Sequence, residues 1–248
     1  MKERSRGTVG KLELDLLEII AERPEFLVVN KPQDLVCHPT KGDVYSSLIS
    51  RARLHLGTSA FLVNRLDRET SGLVVVAKNA EIAGELGRLF ELGMVGKEYA
   101  AIVHGHVVPD EQVIDAPLGK DEQSPVAIKN CVRPDGAPAT TRIQVEKRIT
   151  WDGMAFTVLR VTPLQGHKHQ IRIHLAHAGH PIVGDKLYGG DPLIYLRLVA
   201  GEMTEADRGR LILKNHALHA GLIEFMWRGA MLTFTSPPPA EFEVFQGK

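Results

Sequence analysis

An α+β fold, built on a mixed, largely antiparallel central sheet flanked by helices and loops, is the class this sequence predicts. Three observations carry that expectation. The apolar runs at 26–29 and 73–77 are rich in β-branched residues and read as buried strands. Pro134-Asp135-Gly136 and Asp152-Gly153 sit between β-type runs, as hairpin turns do. Helical spacing recurs between the strands, at 44–56, 80–94 and 170–178.

The 248 residues suffice to bury a substantial core, and 44% hydrophobic with 24% charged content is ordinary for a soluble globular chain. No apolar run approaches the roughly 18 residues of a membrane span. The basic residues 1–6 are followed by no apolar segment of signal-peptide type. Cys37 and Cys131 stand far apart in unrelated surroundings, which fits a reducing cytoplasm better than a disulfide framework. A soluble, cytoplasmic monomer is expected. The formal net charge of +0 argues against a strongly nonspecific nucleic-acid binder. Between Arg142 and His180, however, Arg142, Lys147, Arg148, Arg160, Lys168 and Arg172 face only Glu146 and Asp152, with five of the eleven histidines in the same stretch. A locally basic face of that kind can hold a phosphate backbone in a salt-sensitive way.

Residues 1–24 form a short basic lead-in, whose apolar positions at Leu12, Leu14, Leu16, Leu17, Ile19 and Ile20 predict a small strand or helix ending before Pro24. Residues 26–32 read as a strand closed by proline, and Cys37-His38-Pro39 as a turn. The helix at 44–56 places Val44, Leu48 and Ala52 on one side; strands at 61–63 and 73–77 then flank a charged loop. The stripe Ile82, Leu86, Leu89 and Phe90 predicts a core-facing helix bounded by Gly93 and Gly96. Strand 97–105 alternates, with Lys97, Tyr99 and Ala101 on one face. The turn at 134–136 is expected to join 126–132 to 139–149, and that at 151–153 to join the latter to 154–162. In the helix at 170–178, Ile171, His174, Leu175 and Ala178 share a stripe, Arg172 lies on a different side from His174, and Gly179 fits a C-cap. Residues 190–214 are a helical insertion, with helices near 193–199 and 205–213. Strands at 222–226 and 231–235 precede a proline-rich end.

The densest chemistry lies in the loop at 64–72, Asn-Arg-Leu-Asp-Arg-Glu-Thr-Ser-Gly. It offers one carboxylate, Asp67, between Arg65 and Arg68, with Glu69 beside them. Loops on rigid flanks are favoured places for catalytic groups, and nearby positive charge keeps a carboxylate ionised, as a nucleophile requires. Charge alone equally describes a solvated turn in which Asp67 or Ser71 bonds its own backbone. A second candidate cluster, His169, His174, His177 and His180, invites a metal-dependent hydrolase reading, but no cysteine is near and the first acid is Asp185.

Three stretches, in order, resemble the signatures of the RluA-type pseudouridine synthases, which isomerise uridine in RNA to pseudouridine. They are Arg65-Leu66-Asp67-Arg68-Glu69-Thr70-Ser71-Gly72, Lys97-Glu98-Tyr99, and His169-Gln170-Ile171-Arg172-Ile173-His174-Leu175 continuing through Gly179-His180-Pro181 to Asp185 and Gly189. The likeness runs from about Phe26 to Phe245, with Asn64 where the family usually has histidine. It implies a single pseudouridine synthase catalytic domain over 25–248, with Asp67 as the essential catalytic residue, Arg172 as its partner, and Tyr99 against the target base. Arg65 would fill the space left by a flipped uridine, and Leu66 and Ile171 would wall the uracil pocket. Arg65, Arg68, Lys168 and His169 are the expected RNA contacts. The partner implied is RNA, as a stem-loop in rRNA or tRNA, and the mechanism needs neither metal nor organic cofactor. A catalytically inactive RNA-binding or chaperone protein of the same fold is the alternative.

Overall fold

The computed structural model describes residues 17–39, 47–191 and 193–245. Residues 1–16 of the lead-in and 44–46 of the expected first helix lie outside the described residues. The end of the lead-in is a strand: β1 (Glu18–Glu22) pairs antiparallel with β2 (Phe26–Lys31). Helix α1 (Leu48–Leu56) starts where Ser47 Oγ accepts from Ser50 N, and stops at Gly57, whose φ of 65° suits glycine. There follow β3 (Phe61–Leu62), β4 (Ser71–Ala77), α2 (Ala80–Glu91) and β5 (Val95–His104). The middle is β6 (Glu111–Asp115), β7 (Leu118–Lys120), β8 (Asn130–Val132), β9 (Thr140–Trp151) and β10 (Met154–Pro163). The chain ends with α3 (Gln170–His177), α4 (Leu193–Ala200), α5 (Glu205–Leu211), β11 (Leu218–Trp227), β12 (Ala230–Thr235) and a 3-10 turn at Ala240–Phe245.

One 10-stranded sheet runs in the order β1-β2-β4-β11-β5-β10-β9-β6, with β12 on β11 and β3 on β4. The pair β11–β4 is parallel and the others are antiparallel, so the expected mixed α+β class holds. The near-continuous apolar runs have a physical cause. Leu27, Val29, Val74 and Val76 pack with Leu48, Ile49 and Ala52 of α1. Phe26, Val28, Leu73 and Val75 pack with Ile82 and Leu86 of α2, so β2 and β4 are buried on both faces.

Register decides where the chemistry meets. Gly72 of β4 sits opposite Ala220 of β11, and Ala220 opposite Tyr99 of β5, so the charged loop and Tyr99 reach one level of the sheet. The parallel pairing needs glycine: Gly72 has φ 112°, and a Cβ there would lie 2.3 Å from the Ala220 carbonyl oxygen. On the other side β10 pairs with β5, and α3 returns over the sheet with Ile171 and Leu175 in the core beside Leu159 and Val161.

One expectation fails. The turn at 134–136 does not join 126–132 to 139–149 as a hairpin. β8 pairs with β7 in a separate 2-stranded sheet, while β9 pairs with β6 and β10. Gly136 lies flat against the Leu118 backbone, where a Cβ would sit 2.5 Å from its carbonyl, and Ala137 bridges to Leu118. The turn therefore folds back onto β7. The Asp152-Gly153 hairpin forms as expected, with φ of 51° and 73° at its tip. Both insertion helices form too, locked by Arg197, whose guanidinium binds Asp207 and Asp191.

Candidate active site

Residues 63–70 are clamped from several sides. Asn64 Oδ1 accepts from Val75 N at 2.8 Å, and its Nδ2 donates to Leu73 O, so this residue fastens the loop stem to β4. Thr70 Oγ1 lies 2.7 Å from His216 Nε2, and Lys186 Nζ donates to Glu69 at 2.8 Å. Beneath the loop Lys31 has no exposed surface. Its ammonium donates to the carbonyls of Pro32 and Leu35, both at 2.8 Å, and of Arg68 at 3.1 Å. Burial lowers its pKa to about 8. Lys31→Met should leave the carbonyls at Leu35 and Arg68 short of a donor, costing about 3 kcal/mol, as a urea titration would read. A change under about 0.5 kcal/mol would mean that water replaces the ammonium.

This clamp presents Asp67 to Arg172. Arg172 Nη1 donates to Asp67 Oδ2 at 2.8 Å, while its Nε and Nη2 grip Asp185 at 2.7 and 2.9 Å. Asp185 is fully buried and its Oδ1 also accepts from the backbone N–H of Leu187 and Tyr188. The arrangement is one guanidinium between two carboxylates, with one acid inside and the other, Asp67, 27% exposed. Burial acts to raise the pKa of Asp67, but Arg172, together with the His169 and His216 rings, outweighs it and holds the carboxyl below its usual range. Burial, with the Asp67 charge, pushes the Tyr99 phenol well above its usual value, so Tyr99 is a neutral hydroxyl near pH 7.

Asp67, Tyr99 and Arg172 line a cleft of about 650 Å³, with Asp185 behind it. Of the residues singled out from the sequence, it holds Arg65, Leu66, Asp67, Tyr99, His169, Ile171 and Arg172. Arg68 and Lys168 are exposed and do not line it; Lys168 donates to Ile128 O. His169 lines the cleft rather than the outer surface: its side chain is 8% exposed and its Nε2 lies 3.8 Å from Asp67 Oδ2. Nor is the basic stretch a uniform face. Arg148 pairs with Asp110, Arg160 with Glu146 and Glu98, and Arg172, on helix α3, is buried. Sequence reasoning missed Lys31, Asp185 and Lys97. Lys97 lines the cleft and donates to Gln165 O. The available signal for Asp185 was its place as the first acid after the histidine-rich block.

The four histidines weighed as metal ligands do not converge. His174 spends both ring nitrogens on Thr141 and the Ala116 carbonyl, and His180 bonds the His104 carbonyl. Among the described residues no three His, Cys, Asp or Glu side chains form a metal-ligating group, and no helix is long and apolar enough to cross a membrane. A second cleft, about 600 Å³, borders Lys31, Asp34, Ser71 and His219 and holds none of the predicted site residues.

Buried neutral histidines set an acid limit. Burial lowers the pKa of His169 to about 4 and of His216 to about 3, against about 6.5 in an unfolded chain. Below about pH 6.5 the unfolded chain binds protons that the folded one refuses, so stability falls with pH, approaching about 1.4 kcal/mol per pH unit for each histidine. Urea titrations at about pH 7 and pH 5 read this slope directly. A flat profile would mean that these rings protonate in place.

Comparison with known proteins gives this geometry its context. A family model described as RNA pseudouridylate synthase matches residues 25–177. An uncharacterized RNA pseudouridine synthase of Helicobacter pylori is 32% identical over 92% of this chain and 75% of its own length. The dual-specificity RNA pseudouridine synthase RluA of Vibrio parahaemolyticus is 39% identical over 69% of this chain and 68% of that protein. Among solved structures, human RNA pseudouridylate synthase domain containing 1 superposes with a TM-score of 0.73 at 25% identity, covering 97% of this chain and 89% of that one.

Proposed function

We propose, on the premise that this chain belongs to the RNA pseudouridylate synthase family and is an RNA pseudouridine synthase of the RluA type, that Asp67 carries the isomerisation and that the substrate is a uridine in a compact RNA stem-loop. The observation that carries this reading is the ion pair in the cleft, with Asp67 Oδ2 held 2.8 Å from Arg172 Nη1. A base inside a stack cannot reach a carboxylate at the bottom of a cleft, so the target nucleotide turns out of its helix. Arg65, exposed at the rim, fits the space it leaves.

Within the cleft the ionised Asp67 attacks the nucleotide, the bond from C1′ to N1 breaks, and the uracil turns between Leu66, Tyr99 and Ile171. C5 then joins C1′, the Asp67 carboxylate is released, the C5 proton passes to solvent and N1 takes one up, with the neutral Tyr99 hydroxyl as hydrogen-bond partner near the base. Arg172 keeps the carboxylate charged and aimed throughout. Every group in this scheme is a side chain of this chain. Relatives named as ribosomal large subunit pseudouridine synthase D, such as that of Pasteurella multocida at 30% identity, favour ribosomal RNA, and the relatives named dual-specificity leave room for a second RNA target.

Pseudouridine maps of total RNA from cells with and without the gene test this reading. One or a few sites should vanish and return only with a gene encoding Asp67. Identical maps would instead favour a protein that binds RNA without modifying it.

A further inference from the structure

We propose that His169 is a positioning residue for Asp67, an imidazole whose tautomer is fixed by Tyr188 so that an Nε2–H faces the carboxylate oxygen that Arg172 grips. The inference rests on Asp67 as the reacting carboxylate and adds a second donor and its support.

Placement comes first. His169 caps α3 with a left-handed φ of 60°, a conformation histidine tolerates better than most residues, and its ring lines the cleft. Hydrogen-bond polarity then settles the tautomer. The Tyr188 hydroxyl accepts from Asn130 N at 3.2 Å and lies 2.9 Å from His169 Nδ1. Among the described residues Nδ1 is the acceptor within reach of the phenol proton, so donation to it leaves no buried donor unpaired. The imidazole proton is thereby sent to Nε2, on the Asp67 side.

The two oxygens of Asp67 are not equivalent. Arg172 Nη1 lies 2.8 Å from Oδ2 and His169 Nε2 3.8 Å from the same atom, while no donor among the described residues bonds Oδ1. Oδ2 is the anchored oxygen and Oδ1 the free one. A shift of about 1 Å on RNA binding would close the His169 contact, the usual tightening from a resting to an occupied site. The groups facing the ring are Asp67, Asp185, Arg172, Lys168 and Tyr188. Burial and the two cations oppose protonation more than the two carboxylates favour it, so the ring is neutral. A neutral donor orients a carboxylate without adding a second full charge that would weaken it as a nucleophile.

The test uses Tyr188→Phe, which keeps the ring stacked 5.1 Å from the Arg172 guanidinium, and His169→Asn, which suits the left-handed backbone but loses the reach. In the unmodified protein, nitrogen-detected NMR should show His169 protonated at Nε2 alone from about pH 5 to 8; Tyr188→Phe should mix the tautomers. Both variants should lower kcat on a stem-loop substrate about tenfold with KM within about twofold, and move the acid limb of the pH–rate profile up by about half a pH unit. A proton on Nδ1, or variants that lose thermal stability while kcat and the acid limb stay put, would overturn the proposal. Asp67→Asn separates the two readings: if it stays active the premise has failed, and if it is inactive while His169→Asn keeps its rate and pH profile, only the role of His169 has.

Discussion

Asp67→Asn is expected to abolish pseudouridine formation while leaving RNA binding within about threefold of the unmodified protein. The substitution keeps the shape of the side chain and removes its charge. Arg172 keeps its two bonds to Asp185, so the fold loses one contact at a partly exposed position. What is lost is the proposed nucleophile, and elsewhere such removals cost about a thousandfold or more in kcat. Release of tritium from RNA labelled at uridine C5 measures the reaction, because C5 exchanges its proton for the bond to C1′. Filter binding of the same RNA measures the complex. A variant turning over within about tenfold of the unmodified protein would move the chemistry away from Asp67.

Arg172→Met should damage both the fold and the reaction. It strands Asp185, a carboxylate with no exposed side-chain surface, with two backbone donors on one oxygen as its remaining hydrogen bonds among the described residues, and it frees Asp67 from its anchor. Breaking a buried pair by removing one partner costs about 3–5 kcal/mol, mostly through the charge left behind. Arg172→Lys should do little better for activity, since a single ammonium cannot span two carboxylates as the guanidinium fork does. The pH dependence has a definite sign. In the unmodified protein Arg172 holds the Asp185 pKa far below the usual value, so this pair contributes stability that is complete above about pH 4 and lost only as pH falls below it. Without the guanidinium, burial raises that pKa instead, and protonation on acidification relieves the stranded charge. The stability gap between Arg172→Met and the unmodified protein should therefore narrow from about pH 7 to about pH 5 in urea titrations. A constant gap would show that water or another cation already compensates Asp185.

Local pattern settled a large part of this protein. The apolar runs of β2 and β4, the Asn79-capped helix α2, the Asp152-Gly153 hairpin and both insertion helices follow from periodicity, caps and turn chemistry, which act over a few residues. Asp67, Tyr99 and Arg172 were legible through the three ordered motifs, and they meet in one cleft. The partners of the turn at 134–136 were not legible, because pairing of β8 with β7 depends on where the Leu118 backbone lies in space. Nor were the inward His169, the buried Lys31 and the shared guanidinium between Asp67 and Asp185. A charged residue's sequence neighbours do not reveal whether its side chain is taken out of water or what then compensates it. The sequence by itself determined the class of fold, most of its elements and the carboxylate we propose as the reacting one. The tertiary structure alone decided which charges are buried, which acid Arg172 shares with Asp67, and which face of the charged loop meets the cleft, since desolvation and pairing arise only when distant segments close around one another.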